Sequence, residues 1–255
     1  MGPHTRKRPA GAAPMTAQRP TQRTAWCGAK GGVGITATAL VAAATCRRDS
    51  DRVVLVDLTG DIGVVMGAEI AGAAGISDII DQPFGTGDLE RLLIDVDGCE
   101  LLPRGKTDLD AVREDSWAAF WPYVNALGCD VVVDAGRADT AHRRLQTDEL
   151  RRMLVTTRCY QAHCRAIDAA QDRSWDGAVL VDRGSVPTQD VVWGIDREFD
   201  AIMDINPELS RSIDRGDVLE TGWRYGRPLV ALLGIDAALT LGEAHEFSAR
   251  RPLGR

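Results

Sequence analysis

Lys30-Gly-Gly-Val-Gly-Ile-Thr36 lies between an apolar run ending at Gly28 and a helical pattern of small residues, and its reading decides the fold. Glycines let successive backbone N–H groups turn inward on an anion with no Cβ in the way. The helix that follows points its positive end at the same spot. Phosphate-binding loops of this kind place Lys-Thr or Lys-Ser at the helix start, the ammonium for the β- and γ-phosphates and the hydroxyl for Mg²⁺. Thr36 is in place, but the lysine position holds Ile35. The chain has three lysines against 27 arginines, so a lysine opening a Gly-Gly-Val-Gly loop is informative.

Outward from the loop, short apolar runs alternate with helical patterns. That order predicts a three-layer α/β fold, a mainly parallel sheet flanked by helices. Strands are expected at Thr24–Cys27, Val53–Asp57, Cys99–Leu102, Asp130–Asp134, Met153–Thr156, Ala178–Val181 and Phe199–Met203. Helices are expected at Thr36–Arg47, near Ile76–Ile80 and Leu89–Ile94, and at Ser116–Leu127, Tyr160–Ala170 and Pro207–Arg215. Trp117, Phe120, Trp121 and Val124 recur on one helical face, which marks them as core rather than a base-stacking platform. No internal repeat is present.

The 255 residues suit one α/β domain, expected over 23–235. Residues 1–30 carry six basic residues and no acid, leaving 24 basic against 37 acidic in the remainder. The Pro-, Arg- and Thr-rich stretch 1–22 reads as a disordered basic arm, and 236–255 as a flexible tail. The basic start lacks the apolar segment of a secretory signal, and no run reaches 18 apolar residues. Cysteines 27, 46, 99, 129, 159 and 164 lie mostly in or beside apolar runs without CxxC spacing. They read as buried, reduced thiols of a cytoplasmic protein. Cys159, His163 and Cys164 lack a fourth zinc ligand.

Asp57 and Asp134 end their strands where a parallel sheet exposes its carboxyl edge, the usual ligand side. Carboxylates there hold Mg²⁺ directly or through water, with the Thr36 hydroxyl beside them. The order of loop, helix and two strand-end acids points to a nucleotide site. A Rossmann oxidoreductase competes, because Gly32-Val-Gly-Ile-Thr-Ala37 fits G-x-G-x-x-G/A and Asp57 follows at the spacing of a ribose-binding acid. It leaves Lys30 and Asp134 without a task. A pure interaction module is the other alternative, with Ile35 sealing an empty loop.

The chain resembles the ParA/MinD family of P-loop ATPases over residues 24–232, through Cys27-Gly-Ala-Lys-Gly-Gly-Val-Gly-Ile-Thr36, Val54-Leu-Val-Asp-Leu-Thr-Gly-Asp61 and Val131-Val-Val-Asp-Ala-Gly136. Ala201-Ile-Met-Asp-Ile-Asn-Pro-Glu-Leu-Ser-Arg-Ser-Ile-Asp-Arg-Gly216 is similar to the family's segment that borders the adenine. The resemblance implies ATP and Mg²⁺ as ligands. It places nucleotide at Ala29, Lys30, Gly31, Gly32, Val33, Gly34, Ile35, Thr36, Ala37, Asn206 and Pro207, and metal at Thr36, Asp57 and Asp134. It also implies a nucleotide-dependent homodimer in which Lys30 reaches the other subunit's phosphates, a protein partner, and a role in positioning chromosomes, septa or secretion machinery.

Two departures qualify it. The family's P-loop lysine is Ile35, and the second acid of its Asp-x-Asp switch is Thr59. Asp61 stands two residues further on and would serve as that acid only in a rearranged loop. Loss of the P-loop lysine is also a feature of the CpaE/TadZ branch, whose members act in pilus localisation. A charged donor at the transferred phosphoryl group is worth roughly 10²–10³ in rate, and a water-positioning base roughly 10²–10⁴. Binding of ATP with weak or no hydrolysis is therefore expected. Arg211, Arg215, Arg224 and Arg227 fall where some ParA proteins bind DNA, but the acidic domain favours a solvated face.

Overall fold

The computed structural model describes residues 20–172 and 175–235; the expected arm, apart from 20–22, and the expected tail lie outside the described residues. The central strand β1 (Arg23–Gly28) runs into the glycine loop and α1 (Ile35–Cys46), then β2 (Val53–Asp57). Four short helices follow, α2 (Asp61–Met66), α3 (Ala68–Ala71), α4 (Ile76–Ile79) and α5 (Thr86–Leu92). The hairpin β3 (Ile94–Val96) and β4 (Cys99–Leu102) leads to α6 (Glu114–Asn125), β5 (Asp130–Arg137) and α7 (Ala138–Arg144). The second half comprises β6 (Arg151–Arg158), α8 (Tyr160–Asp172), β7 (Gly177–Gly184), α9 (Thr188–Ile195), β8 (Ala201–Met203), α10 (Pro207–Arg215) and α11 (Val218–Thr221).

The eight strands lie in the order β3-β4-β2-β5-β1-β6-β7-β8, parallel except for β3 against β4. The fold class is thus the expected three-layer α/β type. Strand β1 pairs with β5 and β6, never with β2. A Rossmann half would pair its first two strands directly, so this order removes the dinucleotide reading. The chain leaves β1 towards one edge and returns past it after β5. The crevice at the carboxyl end of β1 is therefore the topological switch point, where ligands of open α/β sheets bind.

Both faces of the sheet are covered, which is why its strands read as continuous apolar runs. Trp26, Leu55 and Val132 turn to the layer containing α1, and Ala25, Val54, Val131 and Val133 to the layer containing α6. Ten of the twelve α1 residues are buried, and their small side chains let neighbours approach closely. A Cβ at Gly226 would lie 1.8 Å from the Thr45 hydroxyl. In the opposite layer Trp117, Phe120, Trp121 and Val124 are all fully buried, as their shared helical face predicts. The Phe120 and Trp121 rings meet edge to face at 5.1 Å, and the Trp121 indole N–H donates to the Arg144 carbonyl at 2.6 Å.

Several expectations are corrected. The helix expected near Leu89–Ile94 starts and ends earlier, and Ile94 opens β3. The missed signal is Asp97-Gly98, both at positive φ (49° and 76°), a two-residue hairpin turn between alternating strands. Helices α2, α3, α7, α9 and α11 fall outside the expected set, because four to eight residues are too few for a helical period to show. Cys159 and Cys164 are only partly buried, unlike the other four cysteines, and all six are free. Burial pushes the Cys99 thiol up to about 12, leaving it protonated and inert.

Trp121→Ala is expected to cost about 3–5 kcal/mol, the usual range for emptying a buried aromatic site. Urea unfolding measures it, and Trp121→Phe should cost clearly less.

Candidate phosphate-binding site

The loop between β1 and α1 begins with the Ala29 N–H donating to the Val155 carbonyl at 2.9 Å. Gly32 and Gly34 adopt φ of 74° and 95°, left-handed values that favour glycine. A Cβ on Gly31 or Gly32 would meet nothing within 4 Å, so the outer face of the loop opens onto free space. Helix α1 has no side-chain cap at Gly34 and no acid in its first turn. No side chain of its own first turn thus offsets the positive end of the helix.

Ile35 is 8% exposed and turns back beneath the loop. A Cβ on Gly28 would fall 2.2 Å from the Ile35 Cδ1 and 3.0 Å from Val33, so Gly28 exists to make room for the isoleucine. Behind Gly34 lie Ile205 and Val181, which brings the β8–α10 connection beside the loop. Asn206 caps α10 by accepting from the Glu208 and Leu209 N–H groups at 3.0 and 2.9 Å, and Pro207 takes the first helical position.

Asp57 and Asp134 are direct neighbours in the β2–β5 register. Both are at most 1% exposed. The Asp57 carboxylate is fully engaged. Its Oδ1 accepts from the Thr59 N–H (3.0 Å), the Thr59 hydroxyl (2.9 Å) and the Gly60 N–H (2.7 Å), and its Oδ2 from the Gly63 N–H (3.1 Å). It therefore staples the β2–α2 connection. The Thr59 hydroxyl also stands 3.4 Å from Asp134 Oδ2, between the two acids. Burial, with the Asp57 charge adding to it, pushes the Asp134 carboxyl up to about 7 against the pull of the Thr36 hydroxyl and the Gly136 N–H. A bulge at Ala135 and a positive φ of 75° at Gly136 bend β5 just past this acid.

A cavity of about 510 Å³ opens in front of the loop. It brings together Gly31, Gly32, Gly34, Ile35, Thr36, Ala37, Asp61 and Asp134 from the expected set. Lys30 lies outside it and lines an adjoining cavity of about 490 Å³ with Tyr160 and Arg165. Its ammonium donates to the Gly31 carbonyl at 2.8 Å. Ala29, Val33, Asp57, Asn206 and Pro207 do not line the main cavity. Sequence reasoning missed three arginines that do: Arg104, Arg137 and Arg144. Arg144 is nearly buried, donating to the Leu58 carbonyl at 2.7 Å and pairing with Asp110. The available signal was Arg104, just past the carboxyl end of β4.

Mg²⁺ requires hard oxygen donors. The Thr36 hydroxyl and the Asp134 carboxylate, facing one cavity, supply that chemistry, whereas Asp57 does not line it and has more protein donors on its oxygens. Among the described residues, no group of three or more His, Cys, Asp or Glu is arranged to hold a metal, the Cys159–Cys164 region included.

No protein-family profile matches the chain, and no curated protein matches its sequence. Its fold, however, is that of the ParA/MinD ATPases. A ParA family ATPase from Chlorobium tepidum TLS shares it at TM-score 0.67 and 15% identity, over 84% of this chain and 98% of that one. The MinC:MinD cell division protein complex of Aquifex aeolicus matches at TM-score 0.62 and 18% identity, over 92% and 99%. The septum site-determining protein MinD complexed with Mg-ADP from Pyrococcus horikoshii OT3 matches at 0.57 and 16%, over 84% and 98%.

The raised Asp134 carboxyl binds its proton more tightly in the folded chain than in the unfolded one. Its contribution to stability is therefore present near pH 4 and is lost as pH rises to about 7. Asp134→Asn should raise the melting temperature of the ligand-free protein at pH 8 and change it little at pH 4.5. Equal shifts at the two pH values would refute the assignment.

Proposed function

We propose that this chain binds ATP with Mg²⁺ in the 28–37 loop, hydrolyses it slowly or not at all, and uses the bound nucleotide to control pairing of two copies. On this reading it is a cytoplasmic positioning factor for chromosome, septum or pilus machinery, acting with a partner protein. The observation that carries the proposal is the open glycine loop. Its left-handed glycines and the uncapped start of α1 face a cavity that also holds Thr36 and Asp134. The Mg-ADP bound by the Pyrococcus horikoshii protein of the same fold supports it.

Within this reading, backbone N–H groups of residues 31–37 bind the phosphates, and Thr36 and Asp134 hold Mg²⁺, which neutralises phosphate charge. Asp57 acts through the loop it staples, or on the metal through water. Turnover is impaired because Ile35 brings no ammonium to the cavity. Thr59, hydrogen-bonded to Asp57, offers no carboxylate for the attacking water, and Asp61 is exposed at the start of α2.

The burial of Ile35 beneath the loop favours a second reading, in which the loop is sealed and the chain is a nucleotide-free interaction module. Calorimetric titration with ATP and Mg²⁺ separates the two. Binding at micromolar or weaker affinity is expected for the wild type. Gly32→Val should abolish it, since the φ of 74° disfavours valine and the side chain would stand in the phosphate path. No heat and no change in melting temperature with the wild type would select the second reading.

Lys30→Ala should keep ATP binding and lose ATP-dependent dimerisation, as read by sedimentation velocity. An assembly state unchanged by ATP, in wild type and variant alike, would refute the dimer.

A further inference from the structure

We propose that Arg104 supplies from within the same chain the positive charge that Ile35 removes from the loop, forming a subsite for the terminal phosphate of a nucleoside triphosphate. The proposal rests on reading the loop as an ATP site and adds the residue that distinguishes triphosphate from diphosphate.

Arg104 lines the same cavity as Gly31, Gly32 and Thr36 but comes from the far side, beyond the end of β4. Its guanidinium lies over Gly60, where a Cβ would sit 2.8 Å from Cζ and 3.0 Å from Nε. Gly60 has a φ of 85°, so a residue with a side chain is disfavoured there twice over, by backbone and by space. The loop stapled by Asp57 thus makes room for this arginine.

Arg104 is also underused. Its Nη1 donates to the Thr59 carbonyl at 2.8 Å. Its Nε is buried with no hydrogen-bond partner. Among the described residues, no carboxylate stands within ion-pair distance of it, whereas Arg144 pairs with Asp110 and Arg137 with Asp139. A guanidinium carries five N–H donors, and a buried idle donor is costly. Phosphate oxygens are the acceptors that a planar fork fits best. Asp61 and Asp108 share the cavity, so an anion there meets like charge, which Mg²⁺ on the phosphates reduces and the Arg104 guanidinium offsets.

The hydrogen bond to Thr59 places the charge on the β2–α2 connection. A terminal phosphate bound by Arg104 therefore also holds that connection in place, and a diphosphate, which lacks the terminal group, does not.

The test is calorimetric titration of the full chain with ATP and with ADP, each with Mg²⁺. Arg104→Gln removes the charge and ends two bonds short of the Nη1 that donates to the Thr59 carbonyl, so ADP binding reports any effect of losing that contact. The variant should weaken ATP binding by about ten- to a hundredfold, the range for a charge-assisted hydrogen bond, and change ADP affinity less than about twofold on the same argument. Ile35→Lys in the Arg104→Gln background should restore the preference for ATP, and thermal melting should show each variant folded. An unchanged ATP-to-ADP affinity ratio in Arg104→Gln overturns the subsite while leaving the ATP reading intact. Equal weakening of both nucleotides also overturns it, because Arg104 would then act only on the loop. Failure of the wild type to bind either nucleotide overturns the underlying reading, and the subsite with it.

Discussion

The Asp57 carboxylate, with four protein donors on its two oxygens, is the interaction on which the site depends. A charge at 1% exposure is tolerable only when it is this well solvated by the protein itself. The donors are three backbone N–H groups and one hydroxyl, all within six residues of Asp57. Satisfying the acid therefore fixes the path of the chain from β2 into α2. That path sets the Thr59 hydroxyl between two acids and turns Gly60 into left-handed backbone under Arg104. Asp134, one strand away, is wholly buried, and that burial pushes its carboxyl up.

Ile35 changes the character of the loop without changing its shape. The glycine φ values, the free space at Gly31 and Gly32, and the uncapped start of α1 leave the loop open to solvent on its outer face. Beneath them the isoleucine joins the apolar layer of α1 and Val33, against a glycine that makes room for it. Burying that side chain favours the folded loop by about 1.5–3 kcal/mol, whereas a lysine there would bring a charge that needs a phosphate. The loop is thus stabilised in the absence of ligand, and the arginine we propose in place of a loop lysine stands on the opposite wall of the cavity.

Much of this was legible in the amino-acid sequence. The alternation of apolar runs and helical patterns reports a parallel sheet covered on both faces, because its central strands are buried on both sides. Lys30–Thr36 announced the turn after β1, since a glycine-rich run between strand and helix has few other uses. The aromatic face of α6 followed from helical period alone. The hairpin of β3 and β4 is equally readable, in the Asp97-Gly98 turn between two short apolar strands.

Tertiary structure alone decided the rest. Sequence placed Asp57 and Asp134 at strand ends, yet only the β2–β5 register made them neighbours and only the donors around Asp57 separated their roles. Arg104 and Arg144 belong to the cavity because β4, α7 and the loop after β2 converge at one sheet edge, across separations that no local pattern records. Strand order likewise distinguished this fold from a dinucleotide-binding one. Local propensity and periodicity are properties of a short window. Register, convergence and burial of charge belong to the folded chain, and the chemistry of this site lies in those.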